Sequence, residues 1–349
     1  MIQATGAPGA RNSLPGWAAH IVAPVAGGLI GLGIGALLIL FAGANPFEAY
    51  AVMIGGAFGG PRQVQETILK AAPLLMLGLG LSVAFRARVW NIGGEGQYYM
   101  GALVGGAIAL TFPGWPRPLL IAAMLAGGVA GGLVWALLAG VMKVRRGVSE
   151  IISTLMLNYI AILFVQYMAR GPLQEPGGYL PESAQLVAAA RLPVFFGTRI
   201  HLGVVIALLL IPWVFVLIWA TPLGFRLRAV GERASVARYA GIQVERMILF
   251  AVSLSGALAG LAGIIEVSTL HTRLKGEISG GYGFSGILVA LLGRMHPVGV
   301  AVAALFFAAL TIGAQSMHVV YGLSDALANA VQAIIVLAVL AVDALAHRR

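Results

Sequence analysis

The sequence predicts an all-α, polytopic membrane protein with about ten transmembrane helices and both termini in the cytoplasm. Hydrophobic residues occupy 60% of the 349 positions, charged residues occupy only 10%, and glycine occurs 48 times. Soluble domains usually contain about 25% charged residues. Membrane helices use small residues such as glycine to pack closely. These three observations together indicate a chain that is embedded in a bilayer.

The net charge of +10 does not indicate a nucleic-acid partner. Most lysines and arginines lie in short segments between apolar runs, as orientation in a lipid bilayer requires. The expected surroundings are therefore membrane lipid and other proteins. The chain has no cysteine, which excludes a disulfide framework and a thiolate metal site.

A helix that crosses a bilayer needs about 20 mainly apolar residues. Ten apolar runs approach or exceed this length, and the third and eighth are short and rich in glycine. A pair of short, glycine-interrupted segments can indicate broken helices that line a pathway. The ten predicted spans are 21–41, 64–85, 94–112, 118–142, 151–168, 201–219, 248–270, 280–293, 298–315 and 326–346. Within three of them, glycines four residues apart predict a face on which a neighbouring helix packs. These glycines are Gly27, Gly31 and Gly35, then Gly128 and Gly132, and finally Gly256 and Gly260.

The distribution of basic residues sets the orientation. With a cytoplasmic N-terminus, fourteen of the 22 lysines and arginines fall in cytoplasmic segments, as the positive-inside rule requires. The prediction is a single transmembrane domain over 21–346, with cytoplasmic tails at 1–20 and 347–349. Removing one weak span would place the basic segment 221–247 outside.

Two long segments separate the predicted helices. Segment 169–200 is an exterior loop broken by prolines and glycines, and it either docks an external partner or has no role. Segment 221–247 is cytoplasmic, with a short helix predicted from Ala234 to Tyr239 and closed by Gly241. This helix would lie flat on the membrane or insert into a groove on a cytoplasmic partner.

The stretch RARVWNIGGEGQYYMG, residues 86–101, places a glycine-rich polar turn between two apolar runs. Such a turn is either an ordinary interhelical loop or a bend where helices meet, because glycine allows close backbone approach. Further polar residues lie within the spans, where they are costly and often functional. Amides and aromatic rings suit hydrogen bonding and stacking to a neutral polar solute, and equally suit helix–helix contacts. The candidates for a translocation path are Asn91, Glu95, Gln97, Asn158, Tyr159, Glu266 and Asn329.

Glu66 and Lys70 lie four residues apart in the second span, a spacing that predicts an ion pair. The chain has no G-x-x-x-x-G-K-[ST] nucleotide-binding loop, no G-x-S-x-G elbow and no metal-ligand spacing among its six histidines. These motifs carry ATP hydrolysis, acyl transfer and metal binding. We therefore expect neither an enzyme nor a bound cofactor.

Three stretches resemble the permease subunits of bacterial ABC importers, in the branch for simple sugars, branched-chain amino acids and nucleosides. They are AFRARVWNIGGEGQYYMGA, GVSEIISTLMLNYIA and RAVGERASVARYAGI, at 84–102, 147–161 and 228–242. GYGFSGILVALLGRMHPVG, at 281–299, supports them. The first two look most like the nucleoside-type permeases.

The resemblance implies an inner-membrane importer with three kinds of partner: a second related permease, a cytoplasmic ABC ATPase that uses ATP and Mg, and a solute-binding lipoprotein. It also implies that the cytoplasmic loop holds the coupling helix that docks on the ATPase. The family usually has Asn-Pro where this chain has Arg233-Ala234, which alters the expected helix start. The residues matched to this role are Gly231, Glu232, Arg233, Arg238, Tyr239, Ala240 and Gly241.

The function that the resemblance implies is import of nucleosides or related solutes by ATP-driven alternating access. A permease for simple sugars such as ribose is the alternative within the family. An ion-coupled secondary transporter is the alternative from another class, although the chain of charged residues expected of a proton-driven carrier is not evident.

Overall fold

The structure, a computed structural model, describes residues 16–195, 197–322 and 324–346. Within these ranges it consists of helices joined by mostly short connections, with three isolated β-bridges and no strand. The predicted all-α class is confirmed. The helices are α1 (Gly16–Phe41), α2 (Pro46–Phe58), α3 (Pro61–Arg86), α4 (Gly94–Thr111), α5 (Arg117–Arg146), α6 (Glu150–Arg170), α7 (Leu202–Ala220), α8 (Pro222–Glu232), α9 (Ala234–Tyr239), α10 (Val244–Glu266), α11 (Tyr282–Leu292), α12 (Pro297–Tyr321) and α13 (Asp325–Ala346).

Seven of the helices in the described ranges are long and apolar enough to cross a membrane. An eighth span results if α1 and α2, which are bent by 115° relative to each other, count as one. The eighth predicted span, 280–293, is an 11-residue helix, α11. Its length of about 16 Å covers half of a bilayer core of roughly 30 Å. The polytopic fold is thus confirmed, and the number of complete spans is smaller than the number of apolar segments.

Helix α2 was not predicted from the sequence, and α1 begins earlier than predicted. Residues 16–20, assigned to the N-terminal tail, begin α1. The rest of that tail, 1–15, and the predicted tail 347–349 lie outside the described residues. Helix α2 was not predicted because its 13 residues are too few to span a membrane.

The chain divides into two compact units, 1–53 with 314–349, and 54–313. In the first unit, α1 packs against α13 through the predicted small-residue face. A Cβ added at Gly27 or Gly31 would lie 2.6 Å from the Cα of Val339 or Ile335. Only glycine permits this approach, so the predicted packing face of α1 is confirmed.

In the second unit, α10 lies at the centre and packs against α3, α4 and α5. Gly128 and Gly132 of α5 face Gly256 and Gly260 of α10. A Cβ at Gly132, Gly256 or Gly260 would overlap a backbone oxygen of the opposite helix, and a Cβ at Gly128 would overlap the side chain of Ile264. The predicted helix-packing role of these glycines is confirmed. Helix α3 is buried by neighbouring helices along most of its length, which leaves little of its surface to contact lipid.

Candidate functional site

The glycine-rich turn lies between α3 and α4. Helix α3 ends at Arg86, residues 87–93 are not helical, and α4 begins at Gly94. Segment 91–97, NIGGEGQ, combines the non-helical residues 91–93 with the first turn of α4, and it is among the most buried parts of the chain. We refer to this segment as the 91–97 turn. Non-helical backbone within a membrane must find hydrogen-bond partners inside the protein, so the partners of this turn determine its role.

Asn91 and Gln97 form a reciprocal amide pair across the turn. Asn91 Nδ2 donates to Gln97 Oε1, and Gln97 Nε2 donates to Asn91 Oδ1, each at 2.9 Å. Asn91 Nδ2 also donates to Ser255 Oγ on α10 at 3.0 Å, and the Gly93 N–H donates to Asn91 Oδ1 at 3.0 Å. Both amides are fully buried, and these contacts use most of their hydrogen-bonding capacity.

Asn158 fixes α6 to the same turn. Its Nδ2 donates to the carbonyl oxygen of Ile92 at 2.9 Å, and its Oδ1 accepts the N–H of Gly96 at 2.8 Å. Thr154 Oγ1, one helical turn earlier, accepts the N–H of Ile92 at 3.2 Å. Because Asn158 is buried, its side chain holds two parts of the chain together.

Glu95 connects α4 to α11. Its Oε2 accepts the backbone N–H of Gly283 at 2.7 Å, and only 3% of the residue is exposed. The backbones of Gly94 and Gly283 are in direct contact, with no room for a Cβ at Gly283. Here the chain closes an interhelical junction with a carboxylate at the start of a helix, where negative charge is favourable.

Glu266, near the other end of α10, is also buried. The hydroxyl of Tyr282 donates to Glu266 Oε1 at 3.4 Å, and Lys70 Nζ lies 4.8 Å from the centre of the Tyr282 ring. The predicted ion pair between Glu66 and Lys70 is wrong, because Glu66 pairs with Arg199 of segment 169–200. Helical spacing alone did not reveal a partner that is distant in sequence.

The structure brings four of the predicted path residues together, namely Asn91, Glu95, Gln97 and Asn158. Tyr159 lies on α6 beside Asn158 but points outward, with 57% of the residue exposed. Asn329 is exposed on α13 and belongs to the first unit. Thr154, Ser255 and Gly283 were not among the predicted site residues. Thr154 lies within the STLMLNY motif and Gly283 within the GYGFSG motif, whereas Ser255 lies in neither.

The short helix predicted within segment 221–247 is confirmed as α9, Ala234–Tyr239. Gly241 has a φ of +80°, and its N–H donates to the Arg238 carbonyl at 3.0 Å. The Ile242 N–H donates to the Ala237 carbonyl at 3.0 Å. This pair of bonds is a Schellman motif, in which a glycine in the left-handed conformation ends the helix.

One side chain anchors α9 while the rest of the helix is exposed. Ala237 packs with Val230 of α8 and Val244 of α10. Tyr239 is 97% exposed, and Arg238 forms an ion pair with Glu245. Glu232, Arg233, Ala240 and Gly241 are also exposed, whereas Gly231 is buried.

Segment 169–200 is joined to the part of the chain that follows α10. Ser183 N–H donates to the Leu274 carbonyl at 2.8 Å, and the Leu274 N–H donates back to Ser183 Oγ at 2.9 Å. Glu175 and Arg273 form an ion pair with a shortest distance of 2.6 Å. These contacts give the proline-rich loop a defined attachment to the transmembrane helices.

Residues 63–340 match the protein family described as the permease component of branched-chain amino acid transport systems. A guanosine ABC transporter permease of Bacillus subtilis is 36% identical over 91% of this chain and 92% of its own length. A second guanosine ABC transporter permease of that organism is 30% identical, over 70% of this chain and 79% of its own. A glucose ABC transporter permease of Haloferax volcanii is 33% identical over 94% and 88%.

No solved structure matches this chain. The family match covers most of the chain, and all of the motifs that suggested the family lie within it. This chain belongs to the ABC importer permease family, whose members are transport subunits of the membrane. The buried 91–97 turn and the exposed α9 are therefore two parts of a permease.

Proposed function

We propose that this chain is one of two permeases in an ATP-driven importer of nucleosides, docked through α9 on a cytoplasmic ABC ATPase. The single observation that carries the docking assignment is the exposure of Tyr239, at 97%, on a helix that is rigidly closed at its end. A large aromatic side chain that is fully exposed next to arginines is typical of an interface residue.

The position of α9 in the fold supports this docking. The buried Ala237 of α9 packs against Val230 of α8 and Val244 of α10. A displacement of α9 would therefore also displace α10, which is a transmembrane helix. Gly231 at the end of α8 packs directly on the carbonyl of Arg86, where a Cβ would overlap it. Arg86 ends α3 and begins the connection to the 91–97 turn. Energetic coupling needs such a contiguous chain of packed groups.

The membrane arrangement follows from the charges. We place both termini in the cytoplasm and the importer in the bacterial cytoplasmic membrane, because this places the basic segment 221–247 inside. Ten apolar segments enter the bilayer, and α11 crosses only half of it. The exterior loop 169–200, on the opposite side from α9, would receive the solute-binding lipoprotein.

The remaining partners are a second related permease and the ATPase, which would use ATP and Mg without any nucleotide bound by this chain. The occurrence of two guanosine permeases in one relative's organism supports a heterodimer. The solute path would run between the two permeases. We expect no nucleic-acid partner.

The residues that contact the solute need not be those that form the buried hydrogen bonds of the 91–97 turn. The hydrogen bonds of Asn91, Gln97 and Asn158 favour a positioning role, and so does that of Glu95. Tyr159 offers an exposed ring near the middle of α6, which suits stacking on a nucleobase. Asn329 stays a predicted path residue, as does Glu266. The glucose permease among the relatives keeps a sugar as the alternative solute.

Uptake of labelled guanosine and labelled glucose, in cells with and without this gene, tests the proposal. We expect gene-dependent guanosine uptake that vanadate, an inhibitor of ABC ATPases, abolishes. Gene-dependent glucose uptake alone would retain the permease and replace its solute. Uptake that resists vanadate and collapses with the proton gradient would contradict the proposed energy source.

A further inference from the structure

Helices α4 and α11 both begin inside the membrane. Asn91, just before α4, is hydrogen-bonded to Ser255, which lies eleven residues after the start of α10 at Val244. At 1.5 Å per residue this is about 16 Å from the cytoplasmic end of α10, near half of a bilayer core of roughly 30 Å. Gly283 contacts Glu95 and lies at a similar depth. Two helix N-termini therefore meet near the membrane centre.

The other end of α11 reaches the cytoplasmic surface. Arg86 Nε, at the cytoplasmic end of α3, donates to the carbonyl of Met295 at 3.1 Å, just after α11. The outer half of the membrane is then covered by the non-helical segment 272–281. Irregular backbone at this depth is tolerated only where it is buried in protein or lines a cavity. This segment is thus a specialised part of the transport domain.

Glu95 lies where the two helix ends meet. Helix N-termini carry N–H groups without helical partners and a partial positive charge. Glu95 Oε2 accepts the Gly283 N–H at 2.7 Å, and the Ser279 hydroxyl and the Gly281 N–H also hydrogen-bond to this carboxylate. A single buried side chain of α4 thus holds residues both before and inside the start of α11.

The other attachments of segment 272–281 are longer or lie further out. The hydroxyls of Tyr98 and Tyr99 donate to the carbonyls of Ile278 and Gly276 at 3.4 and 3.3 Å. Gly280 and Gly281 both have positive φ, at +59° and +89°. Such residues can absorb the backbone rotations of a hinge. Glu95 therefore bonds to residues on both sides of this glycine pair, Ser279 before it and Gly283 after it.

We propose that Glu95 is a positioning residue for transport: its carboxylate fixes the mid-membrane end of α11, and its release lets α11 and segment 272–281 move as the path opens. This inference rests on the proposed function. The side chain does not contact the solute in this role, so its loss changes the rate of transport more than the solute concentration at half-maximal rate.

The chain has no cysteine, which allows a direct test of the position of α11. Phe284, next to Gly283, is 40% exposed. Phe284→Cys, introduced in the complete reconstituted importer, is labelled with a water-soluble maleimide in the Glu95, Glu95→Gln and Glu95→Ala backgrounds. We expect labelling to be about tenfold faster in Glu95→Ala, because a charged hydrogen bond is lost. Glu95→Gln, which keeps one acceptor oxygen, should be intermediate.

ATP-driven uptake should fall about tenfold in Glu95→Ala, with an unchanged half-saturating solute concentration. Glu150→Ala is the matched control, since Glu150 starts α6 and pairs with Lys143 at 2.5 Å, and its labelling rate should equal that of the unchanged protein. Equal labelling in all Glu95 backgrounds would overturn the proposal. If Glu95→Ala does not assemble, the Glu95→Gln comparison decides. The labelling readout needs no solute, so a wrong solute assignment leaves it intact.

Discussion

The exposed helix α9 and the buried 91–97 turn differ in how their polar groups are used. Both lie in glycine-containing polar segments between apolar helices. Helix α9 exposes Tyr239 almost completely and is held by Ala237. In the turn, Asn91 and Gln97 are fully buried and bonded to each other and to α10. One segment offers groups to a partner, while the other joins helices of the same chain.

This difference separates two tasks within one permease. A docking helix needs exposed side chains and a rigid attachment, so that force on it moves the helices behind it. An internal junction needs every buried polar group to be paired, because an unpaired group costs about 1–3 kcal/mol. Substitutions of exposed residues in α9 should therefore reduce transport and leave stability unchanged. Substitutions of buried residues in the 91–97 turn should reduce both stability and transport.

The largest effect is expected where the two regions connect, at Gly231. In Gly231→Ala the new Cβ would overlap the carbonyl oxygen of Arg86, which forces α8 away from α3. Overpacking of this kind costs about 1–3 kcal/mol, and we expect guanosine uptake to fall to background. Gly33→Ala is the control, since a Cβ there meets nothing within 4 Å. Normal uptake by Gly231→Ala would contradict the proposed connection.

Tyr239→Ala should reduce ATP-driven uptake at least about tenfold, as expected for loss of an aromatic interface residue. The melting temperature of the purified protein should stay within about 1 °C, because exposed substitutions change stability little. Tyr239→Phe keeps the ring and should retain most of the uptake. A clear fall in melting temperature for Tyr239→Ala would show that α9 is part of the folded core and not a docking helix.

Asn91→Ala should lower the free energy of unfolding by about 1–3 kcal/mol, because Gln97 and Ser255 each lose a partner. Combining it with Gln97→Ala should cost less than the sum of the two single changes, since both remove the same pair. Thermal unfolding of the purified proteins measures both quantities. Strict additivity would indicate that the reciprocal amide pair does not contribute as the distances suggest.

A smaller effect, on stability at acidic pH only, is expected at His201, which belongs to neither α9 nor the 91–97 turn. Burial lowers the pKa of His201 to about 4, and its Nδ1 accepts the Gly203 N–H at 3.1 Å at the start of α7. The unfolded chain, with a pKa near 6.5, binds this proton more readily, so stability is complete above about pH 6.5 and falls as the pH decreases toward 4.

His201→Asn, which keeps an acceptor at this helix start, should flatten the decline in melting temperature between pH 7 and pH 5. Uptake at pH 7 should be unchanged. An identical decline in both proteins would assign the pH dependence to other groups.

The sequence was sufficient for the fold class, for the packing glycines and for α9 with its Gly241 end, because these depend on local spacing. Composition also identified the third and eighth segments as unusual, and α11 is indeed a half-length helix. Helix α2 was missed because length was the only criterion for a span.

Partners distant in sequence were not predictable from one chain. Glu95 bonds to Gly283, 188 positions away, and no local pattern relates the two. The same limit explains why Glu66 was paired with Lys70 instead of Arg199. Polar residues within spans could be identified from the sequence, but exposure and hydrogen bonds were needed to distinguish the buried Asn158 from the exposed Tyr159 beside it.

The most direct test of the docking assignment is a cross-link from position 239 to the ATPase. Tyr239→Cys, in a chain that otherwise has no cysteine, can carry a photoactivated maleimide in the assembled importer. We expect a cross-link from position 239 to the ATPase. We expect none from Phe225→Cys, which is 61% exposed but lies near the start of α8 and outside α9. An assembled importer in which position 239 never cross-links to the ATPase would contradict the account.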